Sequence, residues 1–188
     1  FELPHNKKWE PANYNDEYMG PVVLKKALAK SLNVISAKLI FKVKPAEVVK
    51  TARKFGFTSP IRENFSLALG ATGASPLELA SAYSTIANLG NHIDPFYVSK
   101  IEDYQGNVLY EHFVDGEKRF EPEAVYPLLD MMQGVMDDGS GRVIRRMGFK
   151  HPAAGKTGTT NAFRDAWFAG FTKDLTTSVW VGYDDNES

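Results

Sequence analysis

The chain has 188 residues, 43% of them hydrophobic and 24% charged, a size and balance that bury a real core and exclude a disordered polypeptide. A formal net charge of -1 supplies no global field for nucleic acid or an anionic membrane surface, so neither is expected as a partner. No cysteine is present, which removes disulfides, thiol catalysis and cysteine metal ligands.

In chain order, residues 1–20 are polar and aromatic (Trp9, Pro11, Asn13, Tyr14, Tyr18) without a sustained period and read as an extended, ordered loop. Pro21 opens a helical pattern through Val22, Val23, Leu24, Ala27, Leu28 and Ala29, and Ser31-Leu32-Asn33 interrupts it with residues that favour caps and turns. Further helices are expected over about 34–41 and 45–54, the latter stopped by Gly56. Residues 64–74 carry two glycines, Gly70 and Gly73, and read as a loop with a short strand. Ser75-Pro76 starts an amphipathic helix ending near Leu89-Gly90, 96–102 and 108–113 form a hairpin, and 122–136 is a helix stopped by Gly139-Ser140-Gly141. Three strands close the chain. Lys173-Asp174 is the turn between the last two, which makes them antiparallel, and their apolar runs suit a sheet covered by helices, with Trp167, Phe168, Phe171 and Trp180 in the core. The order of elements is that of an α+β fold.

The four histidines, His5, His92, His112 and His151, show no metal-ligand spacing and read as surface or loop residues. No metal and no cofactor is expected. No Gly-x-Ser-x-Gly elbow, Gly-x-Gly-x-x-Gly or Walker loop occurs; Ser140 reads as part of a helix stop, and Asp137-Asp138 and Asp184-Asp185 as solvated element ends. What remains is Ser31-Leu32-Asn33 at a helix junction and Gly155-Lys156-Thr157-Gly158-Thr159-Thr160 on a strand. Taken singly, these are compatible with two helix caps and a solvent-facing edge strand protected by a lysine.

Together, in this order and with their flanks, they resemble the transpeptidase domain of penicillin-binding proteins, class A (bifunctional) type. Penicillin-interacting enzymes carry three signatures, Ser-x-x-Lys, Ser-x-Asn and Lys-Thr-Gly. The second and third are present, and the lead-in Trp9-x-Pro11-x-Asn13-Tyr14 with Tyr18-x-Gly20-Pro21, residues 70–90 and residues 155–184 are also similar to class A proteins. No serine is followed by lysine three positions later. The resemblance therefore implies that residues 1–188 are the later part of a β-lactamase/transpeptidase-like domain, a partial α+β domain with an antiparallel sheet covered by helices. It places the nucleophile on an upstream segment outside this chain, a reading that fits a first residue, Phe1, and a final run, Asn186-Glu187-Ser188, that look cut from something longer.

The activity implied by the resemblance is D,D-transpeptidation: a serine attacks the D-Ala-D-Ala carbonyl of a peptidoglycan stem peptide, releases D-alanine and passes the acyl group to a neighbouring amine, and β-lactam antibiotics trap the acyl-enzyme. By motif position Ser31 and Lys156 form a proton relay, Asn33 bonds the substrate amide, and the Thr157 and Thr159 hydroxyls bind the substrate carboxylate. The Thr159 N–H is an oxyanion donor and Gly158 lets the substrate lie along the strand as an added one. The family further implies an anchor upstream, a position on the outer face of the cell membrane and a glycosyltransferase domain in the parent protein. Two alternatives stay open. A class A-like β-lactamase is disfavoured by the absence of Glu-x-x-Leu-Asn and by Leu at position 32; a non-catalytic module that binds muropeptide is permitted by the missing nucleophile.

Overall fold

The computed structural model describes residues 1–3, 7–14, 17–160 and 164–183; His5 and the pair Asp184-Asp185 lie outside them. Proline sits in the first turn of three of its helices, but the helix expected from Pro21 begins only at Leu24, without a side-chain cap. The segment before them is not wholly loop: β1 (Glu2–Leu3) pairs antiparallel with β2 (Lys7–Lys8). Then come α1 (Leu24–Ala29), α2 (Asn33–Val43) and α3 (Pro45–Lys54). Phe55 and Gly56 close α3, and Gly56 takes a φ of 96°, the left-handed conformation that glycine adopts without a Cβ clash. The segment expected to hold a short strand instead winds a 3-10 helix, Phe65–Leu69, closed by Gly70 in the left-handed region. Its five residues are too few for the apolar pattern to decide between strand and helix.

The helix α4 (Pro76–Ala87) begins with a complete capping box. The Ser75 Oγ accepts the Glu78 N–H at 3.1 Å, and the Glu78 carboxylate accepts the Ser75 N–H at 3.0 Å, so two orphan donors are satisfied reciprocally. Glu78 also accepts from the N–H and hydroxyl of Thr58 and from the N–H and hydroxyl of Ser59, at 2.6–2.9 Å. One side chain thus fastens the start of α4 to the segment after α3.

After α4, β3 (Asn91–His92) pairs with β6 (Glu117–Lys118), and between them β4 (Lys100–Glu102) and β5 (Val108–Glu111) make the expected hairpin. His92 departs from the surface assignment: it is 3% exposed, with Nδ1 2.8 Å from the Thr85 Oγ1 and Nε2 3.1 Å from the Asp94 carboxylate. The ring fills the space over Gly56, where a Cβ would come within 2.6 Å of it. A buried, hydrogen-bonded imidazole here ties α4, β3 and the end of α3 together.

The helix α5 (Pro122–Asp137) and the short α6 (Val143–Arg146) precede the terminal sheet, β7 (Ala154–Thr159), β8 (Asp165–Phe171) and β9 (Thr176–Gly182), in the order β7-β8-β9 and antiparallel throughout. Ile86, Val125, Met132, Ala154 and Phe171 form a core between α4, α5 and one face of this sheet. The helix α1 lies on α5, where Gly134 lets Lys25 and Ala29 approach and the Lys25 ammonium meets Asp130 at 2.8 Å.

Among the described residues, helices cover one face of the sheet and not the other. Period-two alternation puts Ala154, Lys156, Ala169 and Phe171 on the helix side and Phe168, Val179 and Val181 on the other, where Val179 is 49% and Val181 65% exposed. Of the four aromatic residues assigned to the core, only Phe171 is buried. Trp167 and Trp180 are half-buried and pair with each other at 6.2 Å, the Trp180 Nε1 donating to Asp165 at 2.8 Å. Phe168 lies half-buried over Gly155 and Gly170 on the outer face.

Candidate active site

Between α1 and α2 the chain reverses in three residues. Leu32 N–H donates to the Ala27 carbonyl at 3.0 Å, and Ser31 is held at a φ of 54°, an uncommon conformation for a residue with a Cβ. Ser31 does close α1, its N–H donating to the Leu28 carbonyl at 3.1 Å in a Schellman turn, whereas the N-cap expected at Asn33 does not form: Leu32 precedes α2, Asn33 is its first residue, and that end has no side-chain cap bond. What the turn does is aim the Ser31 Oγ at β7. The Lys156 ammonium donates to it at 2.8 Å across 125 positions of sequence, and to the Thr157 carbonyl at 2.9 Å. The two motifs therefore meet.

Burial governs Lys156. The side chain leaves β7 on the helix side, flanked along the strand by buried Ala154, and loss of water pulls its pKa from 10.5 to about 8. The groups that accept from it are a neutral hydroxyl and a carbonyl, so burial dominates its titration. A lysine brought down to about 8 next to a hydroxyl can hold a charge and can also exchange a proton.

Asn33 donates from Nδ2 to the Ala12 carbonyl at 2.9 Å, while the Asn13 Oδ1 accepts the Val34 N–H at 3.2 Å. The lead-in segment is thereby docked on the start of α2. A cleft of about 470 Å3 opens beside this junction, lined by Asn13, Tyr18, Pro21, Leu32, Val34 and Ile35 among others.

On β7, Thr157 is half-buried and Thr159 exposed. β8 occupies one edge of β7, and among the described residues the other edge carries no strand. Gly158 faces Trp167 across the β7-β8 ladder, and a Cβ there would stand 3.2 Å from the tryptophan Cβ. The neighbouring strand thus supplies a packing reason for this glycine.

Ser140, assigned to a helix stop, belongs at this site as well. Its Oγ lies 2.5 Å from the Thr157 Oγ1, and its N–H donates to the Ala29 carbonyl at 3.0 Å. No signal in the linear sequence marks it. The paired acids next to it have structural partners: Asp137 binds Arg145 at 3.0 Å and the Asp138 carbonyl accepts from Lys30 at 2.7 Å.

A half-buried lysine on a sheet edge thus holds the serine of a helix junction, with hydroxyls spaced along the same strand. The family model for the penicillin-binding protein transpeptidase domain matches residues 1–187. The chain belongs to that family. Among curated relatives it is 40% identical to penicillin-binding protein 1A of Aquifex aeolicus over its whole length, which is 26% of that protein, and 36% identical to penicillin-binding protein 2D of Bacillus subtilis over 96% of this chain and 27% of that one. It superposes on penicillin-binding protein 1A of Haemophilus influenzae with a TM-score of 0.92 at 27% identity, covering 99% of this chain and 33% of that one. The PonA1 protein of Mycobacterium tuberculosis in complex with penicillin V gives 0.80 at 26% identity, covering 94% and 52%. The relatives are penicillin-binding proteins of class A, and the chain spans about a quarter of the length of the curated ones it matches.

Proposed function

We propose that these residues are the later part of a D,D-transpeptidase domain that cross-links peptidoglycan stem peptides by acyl transfer at D-Ala-D-Ala and is acylated by β-lactams. The observation that carries this reading is the 2.8 Å contact between the Lys156 ammonium and the Ser31 hydroxyl, which joins two motifs of the family across most of the chain.

In this reading the nucleophilic serine stands on an upstream segment bearing Ser-x-x-Lys. Ser31 passes a proton between the nucleophile and the leaving or attacking amine, and Lys156 orients it and supplies or stabilises the charge. Asn33 offers its amide oxygen to a substrate N–H while its amino group stays on Ala12. The substrate backbone lies along the free edge of β7 as an added strand, its terminal carboxylate between the Thr157 and Thr159 hydroxyls, and the Thr159 N–H donates to the oxyanion. The acyl group then passes to an amine rather than to water, in keeping with the lack of a Glu-x-x-Leu-Asn base. The parent protein acts at the outer face of the cell membrane, held by a segment outside residues 1–188; no described helix is long and apolar enough to cross a membrane.

The test is acylation by a fluorescent penicillin. The full-length protein is labelled and residues 1–188 alone are not; labelling of these residues alone would sink the placement of the nucleophile upstream. In the full-length protein Lys156→Ala slows acylation by about 100-fold or more, the scale of losing one positioned electrostatic donor. Unchanged kinetics would remove Lys156 from the site, and absence of labelling in the full-length protein would favour a non-catalytic muropeptide-binding module.

A further inference from the structure

Successive residues of β7 send their side chains to opposite sides of the strand, and each of the two central ones is met by a serine from a different turn: Lys156 by Ser31, Thr157 by Ser140. In the second of these pairs Ser140 lies outside both family motifs. Ser140 is exposed, yet its backbone has little freedom. Its N–H donates to the Ala29 carbonyl at the end of α1, and the Gly141 N–H donates to the Val135 carbonyl at 3.0 Å. Gly139 is buried so closely that a Cβ would collide with the Ala29 carbonyl oxygen and stand 2.6 Å from the Val135 Cα. The turn is clamped between α1 and α5, and its one polar side chain is delivered to the Thr157 hydroxyl.

A threonine hydroxyl has a single proton and two acceptor lone pairs. The Thr157 proton can rotate toward Ser140 or away from it, and at 2.5 Å one hydroxyl of the pair must donate to the other. A carboxylate accepts only. When one sits against Thr157, the proton order that satisfies all three groups runs Ser140 O–H to the Thr157 oxygen, then Thr157 O–H to the carboxylate. Such a chain polarises along its length, and bonds to an ionised acceptor are the stronger kind.

We propose that Ser140 is a positioning residue for carboxylate recognition: by donating to the Thr157 hydroxyl it fixes that hydroxyl as a donor toward the terminal carboxylate of the acyl donor. This rests on the transpeptidase reading above and adds to it a residue that selects for an anionic ligand without touching it.

The experiment compares acylation of the full-length protein by benzylpenicillin and by its methyl ester, which keeps the lactam but lacks the anion. In Ser140→Ala the acid-to-ester ratio of acylation rate constants falls about tenfold, the scale of weakening one charge-assisted hydrogen bond. Ser140→Thr keeps the hydroxyl and restores the ratio to within about twofold of the parent. In Ser140→Ala combined with Thr157→Val the ratio falls no further than in Thr157→Val alone, because Ser140 acts through Thr157. A ratio unchanged in Ser140→Ala overturns the assignment. So does an equal loss for acid and ester accompanied by a lower melting temperature, which would make the contact a packing contact only. If the parent protein is acylated by neither compound, the transpeptidase reading falls and this assignment with it.

Discussion

Two side chains hold charge in polar clusters of this molecule, and they are treated in opposite ways. Glu78 is surrounded by donors: five N–H and O–H groups from Thr58, Ser59 and Ser75 converge on its two oxygens, and those bonds, the Ser59 hydroxyl first, hold its carboxyl well below the usual carboxylate range. Lys156 is given a hydroxyl and a carbonyl and is pulled down to about 8 by burial. The first charge is stabilised in its ionised form and locks two segments. The second is left poised between two protonation states. A charge satisfied by the fold is a structural device, whereas one the fold leaves under-compensated is the expected mark of a site that works on something else.

The contrast breaks most visibly at Lys156. Lys156→Met in the full-length protein is expected to lower penicillin acylation by at least about 100-fold while raising stability to urea by about 1 kcal/mol, the trade met where activity depends on a destabilised group. A variant both slower and less stable would put Lys156 among structural charges. Glu78→Gln is expected to do the reverse: a loss of about 2 kcal/mol, since a neutral amide accepts these bonds less strongly and brings donors of its own, with acylation at 25 °C unchanged. Impaired acylation at full folding would show that the α4 clamp reaches the site.

Titration sharpens the same comparison. Lys156 is depressed in the folded state, so its cost is fully present below about 8 and is relieved as pH rises toward 10.5. The stability difference between Lys156→Met and the parent therefore narrows across that window. Glu78 is a depressed carboxylate, so its contribution is present above its ordinary 4.5 and is lost as pH falls below it; Glu78→Gln and the parent converge in acid. Equilibrium unfolding at stepped pH reads both slopes, and parallel curves would refute the assignment. The smallest effect is expected at the helix start. Ser75→Ala removes the acceptor of the Glu78 N–H and costs about 1 kcal/mol, measured as a shift in denaturation midpoint.

What the sequence made legible was local. Pro45, Pro76 and Pro122 marked the first turns of α3, α4 and α5, and Lys173-Asp174 marked the β8-β9 turn, because proline and turn residues restrict their own backbone. The Lys-Thr-Gly strand and the Ser-x-Asn junction were legible because each is a short linear motif. Contacts decided the rest. Neither the capping role of Glu78, three residues after Ser75, nor its grip on Thr58 and Ser59, some 20 residues earlier, belonged to that local reading. Ser140 looked like a helix stop, because its partner Thr157 depends on how α5 lies on the sheet. His92 looked like a surface residue, because Gly56 and Thr85 had yet to close around it. The aromatic runs of β8 and β9 announced strands correctly but not which face would be covered, since both faces of an apolar strand look alike in sequence.

The uncovered face has a consequence for handling the polypeptide in a test tube. Among the described residues β9 forms an edge of its sheet, and its sequence Thr176-Thr177-Ser178-Val179-Trp180-Val181-Gly182 is uncharged, free of proline and rich in strand formers. Such an edge templates pairing with its own kind. Residues 1–188 expressed alone are therefore expected to self-associate and scatter light at micromolar concentration, and Val181→Lys on the exposed face is expected to restore solubility with melting temperature preserved.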